Sequence, residues 1–183
     1  QLTVLGAKEA WVNNGTFAPG TGTVIFANGD ENDTVTISGT NTFYNLTVTD
    51  KTRFQPDTNS ILNIAGEFIA NNYNCILDFS SNPNTVAYTG SKSQSVVNPG
   101  GIYGYHNLNF SGDGTKILPE SSLKILGNLN INAPITATGN TILMTGTSTQ
   151  SIGGATDATL NNLTIDNASG VSLINTALTS ISG

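Results

Sequence analysis

The chain has 183 residues, only 10% of them charged, and a formal net charge of −6 from six Lys plus Arg against twelve Asp plus Glu. So few cations exclude a nucleic-acid binder, which displaces counterions with clustered Lys and Arg, and a polybasic membrane anchor. No run approaches the ~18 apolar residues of a spanning helix, and the composition lacks the high charge of a disordered segment.

From the N-terminus onward the predicted elements are short strands. No signal peptide is visible, so the chain reads as either intracellular or a processed piece of something larger, and Gln1 in place of Met favours a processed or excised piece. Inward–outward alternation then marks Leu2/Val4, Val24/Phe26, Val35/Ile37, Leu46/Val48, Leu62/Ile64 and Val86/Tyr88. It continues at Leu108/Phe110, Leu123/Ile125, Leu129/Ile131, Ile142/Met144, Leu163/Ile165 and Val171/Leu173. Turn clusters such as "APGTG", "ANGDEND", "SSNPN", "NPGG" and "SGDG" separate them. No 12-residue stretch keeps helical spacing without a Gly, Pro or β-branched break, so helix content is expected near zero. Cys75 is the one cysteine, which rules out an internal disulfide framework, and "NCILDF" places it as a small buried hydrophobe.

Three landmarks recur in fixed order. A glycine closes an apolar strand at Gly6, Gly66, Gly127 and Gly183; "GTVIF" from Gly22 is matched by "NTVAY" from Asn84 and "NTILM" from Asn140; an Asn-Leu pair stands at Asn45, Asn107 and Asn162. The gaps lie between 55 and 62 residues. Such self-similarity is the mark of a repeat architecture, with units at 6–65, 66–126 and 127–183 of a single domain, 1–183. Each unit divides into thirds of about 20 residues, a suitable length for one coil of a solenoid with tight corners.

The fold expected is therefore all-β: a right-handed parallel β-helix of about nine coils, on the order of 43 Å long at ~4.8 Å per coil. An antiparallel β-sandwich is the alternative. Three coils per unit would bring Asn45, Asn107 and Asn162 onto one face, about 14 Å apart, with Leu46, Leu108 and Leu163 inside. Open sheet edges at the two ends predict partners that stack on them, either neighbouring repeats or identical copies end to end.

Phrases such as "GTNTFYNLTVTD", "GDGTKILPESSLKILGNLNIN" and "GTSTQSIGGATDATLNNLTIDNASGVSL" resemble the repeat regions of very large secreted surface proteins of Bacteroidota, adhesin-like β-solenoids often exported by the type IX route. The resemblance covers nearly the whole chain. It implies an extracellular stalk or adhesive role, surface glycans as possible partners and no enzymatic activity, and it carries no motif-defined site residue. The C-terminal sorting domain of such proteins is not within these residues.

Candidate chemistry is sparse. His106, the one histidine, fills the slot before Asn107 where the other units have Tyr44 and Asn161, which reads as a strand residue facing solvent. The twelve acids are scattered, without the paired carboxylates of a polysaccharide-cleaving solenoid. Asp50 and Asp166 follow corresponding strands, but Gly112 or Asp113 stands between them in the intermediate unit. "NGDENDT" holds Asp30, Asn32 and Asp33, hard oxygen donors of the calcium type, without a complete calcium-loop spacing. No other cofactor is expected.

Thr-x-Thr recurs at 21–23, 34–36, 47–49, 136–138 and 145–149 but vanishes between 50 and 135, so an ice-binding solenoid stands only as an alternative. Trp11, Tyr73, Tyr88, Tyr103 and Tyr105 offer aromatic surface to sugars if they lie outside the core, and a carbohydrate-binding or carbohydrate-cleaving solenoid is the second alternative. Sequons at Asn14, Asn32, Asn45, Asn162 and Asn167 are what an Asn/Thr-rich chain produces by chance, and Asp33-Thr34-Val35 is similar to a Bacteroidota O-glycosylation motif.

Overall fold

The computed structural model describes residues 1–6, 9–30, 32–49, 51–70, 75–174 and 178–182. Within them the chain forms 22 strands and no helix. All strand pairs are parallel, which rules out the antiparallel sandwich. The chain winds as a β-solenoid with three faces.

The first face carries Leu2–Val4, Thr23–Phe26, Asn45–Val48 and Phe68–Ala70 in one sheet. It continues as Gln94–Ser95, Lys116–Ile117 and Ile135–Thr136, then Ala158–Leu160 and Leu178–Ile181. The second face runs from the Thr34–Ile37 half of the strand Thr34–Phe43 through Arg53–Pro56, Ile76–Leu77 and Tyr105 to Ser122–Ile125, Thr141–Met144 and Asn162–Ile165. The third face is the longest uninterrupted ladder, from Thr40–Phe43 through Ile61–Ile64, Thr85–Tyr88, Asn107–Phe110, Leu129–Ile131 and Gln150–Gly153 to Val171–Leu173.

Alternation decides which side chains go inside. Phe43, Ile64, Tyr88, Phe110 and Ile131 stack as one inward row of the third face, all fully buried. Val24, Leu46 and Phe68 do the same on the first face. Rings fill the lower interior, with Trp11 edge-on to Phe17 and Phe43, and Phe79 stacked on Tyr105 at 5.2 Å. Asn41 interrupts this interior at 1% exposure, and its amide is satisfied by the Trp11 indole N–H at 2.6 Å and by the Ser38 carbonyl. Cys75 is half-buried against the same core rather than enclosed in it.

The solenoid has about eight turns, not nine, and the cause lies in the repeat. Leu46 is on the first face, Leu108 on the third and Leu163 on the second. Between one Asn-Leu pair and the next lie eight strand positions, counting the Tyr105 bridge, and so two and two-thirds coils rather than three. Asn45, Asn107 and Asn162 therefore do not align on one face; each unit is turned by one face relative to the last. Alignment occurs instead among the three successive landmark strands, across the unit boundaries: Leu2, Val24 and Leu46 stack, as do Leu62, Val86 and Leu108, and then Leu123, Ile142 and Leu163. Leu46 and Leu108 are fully buried, while Leu163 packs on the core half-buried.

Candidate functional site

Each Asn-Leu pair begins a strand just past a corner, and the residue before it sits on the corner itself. At Tyr44 this geometry demands a glycine one coil later. A Cβ on Gly66 would stand 2.8 Å from the Tyr44 carbonyl oxygen and 2.9 Å from its ring carbon Cδ1. The Gly66 amide donates to that carbonyl at 2.6 Å, and the Glu67 amide donates to Asn45 Oδ1 at 2.9 Å. His106, Asn107, Gly127 and Asn128 repeat the arrangement at another corner, with 2.6 Å and 2.9 Å for the same two bonds. Gly66 and Gly127 are thus close-approach residues beneath a corner side chain, whereas at Gly6 a Cβ would meet only Ala10 at 3.6 Å.

A second motif completes the corner, and its signal lay in "TGSKSQS" at 89–95 and "TGTSTQS" at 145–151. Gln94 points inward, buried, and its amide donates to Ile64 O at 2.9 Å and Gly66 O at 2.6 Å while accepting from Gly90 N at 2.7 Å. Gln150 does the same to Ile125 O, Gly127 O and Gly146 N at 3.0, 2.6 and 2.8 Å. One coil above Gln94 its register partner is Lys116, whose ammonium donates to Gly90 O and Gly114 O. Burial pulls the Lys116 pKa below its ordinary value, against a smaller opposing pull from Asp113.

Between these two motifs the surface opens. Tyr44, Gly66, Glu67, Lys92, Ser93 and Ser95 line a cleft of ≈ 290 Å³ that crosses three coils. His106, with Leu126, Gly146 and Thr147, lines its counterpart of ≈ 240 Å³. Asn161, with Thr138 and Thr159, lines a third of ≈ 250 Å³. The slot before each Asn-Leu pair thus faces a cleft in every unit, at three different corners. His106, read from the sequence as a plain strand residue, belongs to this series, and the importance of Tyr44 was missed.

The aromatic residues chosen from sequence fall elsewhere. Tyr88 and Tyr105 are enclosed: Val97 N donates to the Tyr88 hydroxyl at 3.0 Å, and Tyr105 donates to Val97 O at 2.6 Å. The Tyr88 proton therefore faces the Tyr105 oxygen, 3.0 Å away. Burial pushes Tyr88 up to about 12 and Tyr105 well above its ordinary range. Trp11 is half-buried in the ring cluster, and Tyr103 lies over the Arg53 guanidinium at 5.6 Å. Tyr73, Glu31, Asp50 and Gly183 lie outside the described residues.

Asp78 is the buried acid among the described residues. Arg53 meets it at 2.7 Å, Gln55 at 3.0 Å, and the Ser81 hydroxyl at 2.7 Å, with the Ser80 and Ser81 amides on its other oxygen. Burial alone would raise its pKa, but these donors, Ser81 and Arg53 foremost, outweigh it and hold the carboxyl below its usual range. A carboxylate so held is an anchor, not a general acid, which needs a raised pKa. Tyr103 of the segment 98–104 contacts the cluster through the Arg53 guanidinium.

The calcium candidates close on themselves. Asp30 Oδ1 accepts both the Asn32 amide and its Nδ2 at 2.9 Å, and these bonds lower the Asp30 pKa. Asn28 Nδ2 donates to the carbonyls of Asp30 and Asp33. Among the described residues no three His, Cys, Asp or Glu side chains gather as a metal site. Nor does an unbroken threonine ladder form. The outward row of the first face reads Thr3, Ile25, Thr47, Ile69, then Ser95, Ile117, Thr136, then Thr159, Ser180, and the sheet is interrupted at both joins. Comparison with models of known protein families, with curated proteins and with solved structures finds no match in any of the three.

Proposed function

We propose that the chain is a non-catalytic β-solenoid segment of an extracellular surface protein or filament, serving as a stiff spacer with an adhesive surface. The observation that carries this reading is the phase of the repeat. The second and third units hold eight strand positions each and the first holds seven, with no strand on the turn between Trp11–Asn13 and Thr23–Phe26, so the three wind about eight coils and the strand Leu178–Ile181 stands on the same face as Leu2–Val4. Stacking can then continue, through neighbouring repeats or identical copies end to end, without a break in the core. A further rung would cover Leu2 and Leu5 at one end and Leu173 and Ile181 at the other, which are 45, 77, 60 and 49% exposed. Low charge supports close axial packing, since few like charges oppose it.

Protease shaving of intact producing cells tests the location: peptides of this chain should be released before cytosolic markers. Recovery solely from the cytosolic fraction would refute the surface role. Solution scattering tests the stacking, with a rod about 38 Å long for eight coils that lengthens as concentration rises; a length independent of concentration would count against pairing of copies.

A further inference from the structure

We infer that the Tyr44 cleft is a binding site for one sugar ring of a neutral or amino-sugar glycan. The cleft brings together side chains of opposite character in a small volume. Tyr44, half-buried on the corner, presents an aromatic body. Ser93 and Ser95 supply hydroxyls, Glu67 a carboxylate and Lys92 an ammonium, all exposed. A sugar ring has the complementary form: a C–H face that lies against an aromatic ring and a rim of hydroxyls that pair with carboxylate, ammonium and hydroxyl groups. At ≈ 290 Å³ the cleft is at the lower end of ligand-pocket size, which suits a single ring with its chain running on along the corner. One acid and one base balance each other locally, and the net charge of −6 disfavours a polyanion.

Construction points the same way. The floor is fixed rather than loose: Gly66 is locked to Tyr44 O, and buried Gln94 ties the far wall to Ile64 and Gly66 in the coil below. A site held in this way binds with little ordering cost. The same frame recurs at His106, with Gly127 and Gln150 in place of Gly66 and Gln94 and a different residue in the slot. That slot varies between the two units, as do Glu67 against Asn128 and Lys92 against Ser148, while the glycine and glutamine are kept, as expected of specificity positions on a fixed frame. Successive frames are turned by one face and advanced by about 13 Å, two and two-thirds coils at ~4.8 Å each.

The inference names a partner for the adhesive part of the proposed function and rests on it only for location. The test is an array of glucose, galactose, mannose and N-acetylglucosamine oligosaccharides, probed with the full chain. Tyr44→Ala is expected to lower retention at least tenfold and Glu67→Gln at least threefold. Tyr44→Phe should stay within threefold of the parent and Ile102→Ala, on an exposed loop, should match it. Circular dichroism establishes that each variant is folded; Glu67→Gln, on an exposed side chain, keeps the test valid if Tyr44→Ala unfolds. Retention of no oligosaccharide by the parent, or equal retention by Glu67→Gln and Ile102→Ala, would overturn the site. Sugar binding by a chain confined to the cytosol would instead remove the surface role and leave the cleft standing.

Discussion

Replacing Gly66 or Gly127 with alanine probes the rotated repeat directly. Neither glycine has a left-handed backbone, so alanine is refused by space alone. At Gly66 the new methyl would stand 2.5 Å from Asn45 Oδ1 and 2.8 Å from Tyr44 O, the acceptors of two corner bonds. At Gly127 it would stand 2.7 Å from His106 O and Nδ1 and closer still to Asn107 Oδ1. Losing two such bonds costs about 1 kcal/mol each, and overpacking a closed site adds about 1 to 3 kcal/mol. The expected loss is about 3 to 5 kcal/mol at either position, a fall in Tm on the order of 10 °C for a chain of this size. Gly15, with open space around its Cβ position, is the control, and Gly15→Ala should stay within about 0.5 kcal/mol. Thermal unfolding followed by circular dichroism reads all three. If Gly66→Ala and Gly127→Ala melt with Gly15→Ala, the close approach is wrong. If only one of the pair is sensitive, the two corners are not built alike and the rotated unit fails.

Three further measurements bear on the same frame. Gln94→Ala and Gln150→Ala each strip partners from buried backbone groups and should each cost about 2 to 4 kcal/mol, whereas Gln55→Ala, on a half-buried outward side chain, should cost less; a loss at 94 or 150 no larger than at 55 would contradict their inward bonding. Stability should depend on pH at both extremes. Asp78 has a lowered folded pKa, so its contribution is present above its ordinary value of 3.8 and lost as pH falls through the folded value, and Asp78→Asn should flatten that acid slope. Tyr88 and Tyr105 are raised, so their contribution is intact below pH 10 and lost as pH climbs toward and past 12; Tyr105→Phe should remove part of the alkaline loss. Calcium should leave Tm unchanged, because Asp30 Oδ1 is already bonded to the Asn32 amide and its Nδ2; a rise that Asp30→Asn abolishes would establish a metal loop.

Most of the secondary structure was legible in the residues. Inward positions such as Val24, Leu62 and Ile125 follow from period-two alternation, which is a property of the strand itself and needs no knowledge of neighbours. The repeat was legible too, because Tyr44-Asn45-Leu46 and His106-Asn107-Leu108 are near-copies in text and in hydrogen bonding. Buried Gln94 and Gln150 stood in plain sight within a recurring phrase, but a polar residue at an inward position reads as a loop until the carbonyls it serves are located.

What the sequence could not reveal was the face. Partners in adjacent coils are separated by 19 residues at Val35 and Phe54 but by 26 at Trp11 and Ile37, because corners absorb insertions without changing the number of strands per coil. Counting residues therefore miscounts strands: a unit of about 60 reads as three coils but winds about two and two-thirds. Local sequence determines which side of a strand is apolar. Only cross-coil hydrogen bonding determines which strand lies beneath it, and so it alone decided that each unit turns by one face and carries its cleft to a new corner.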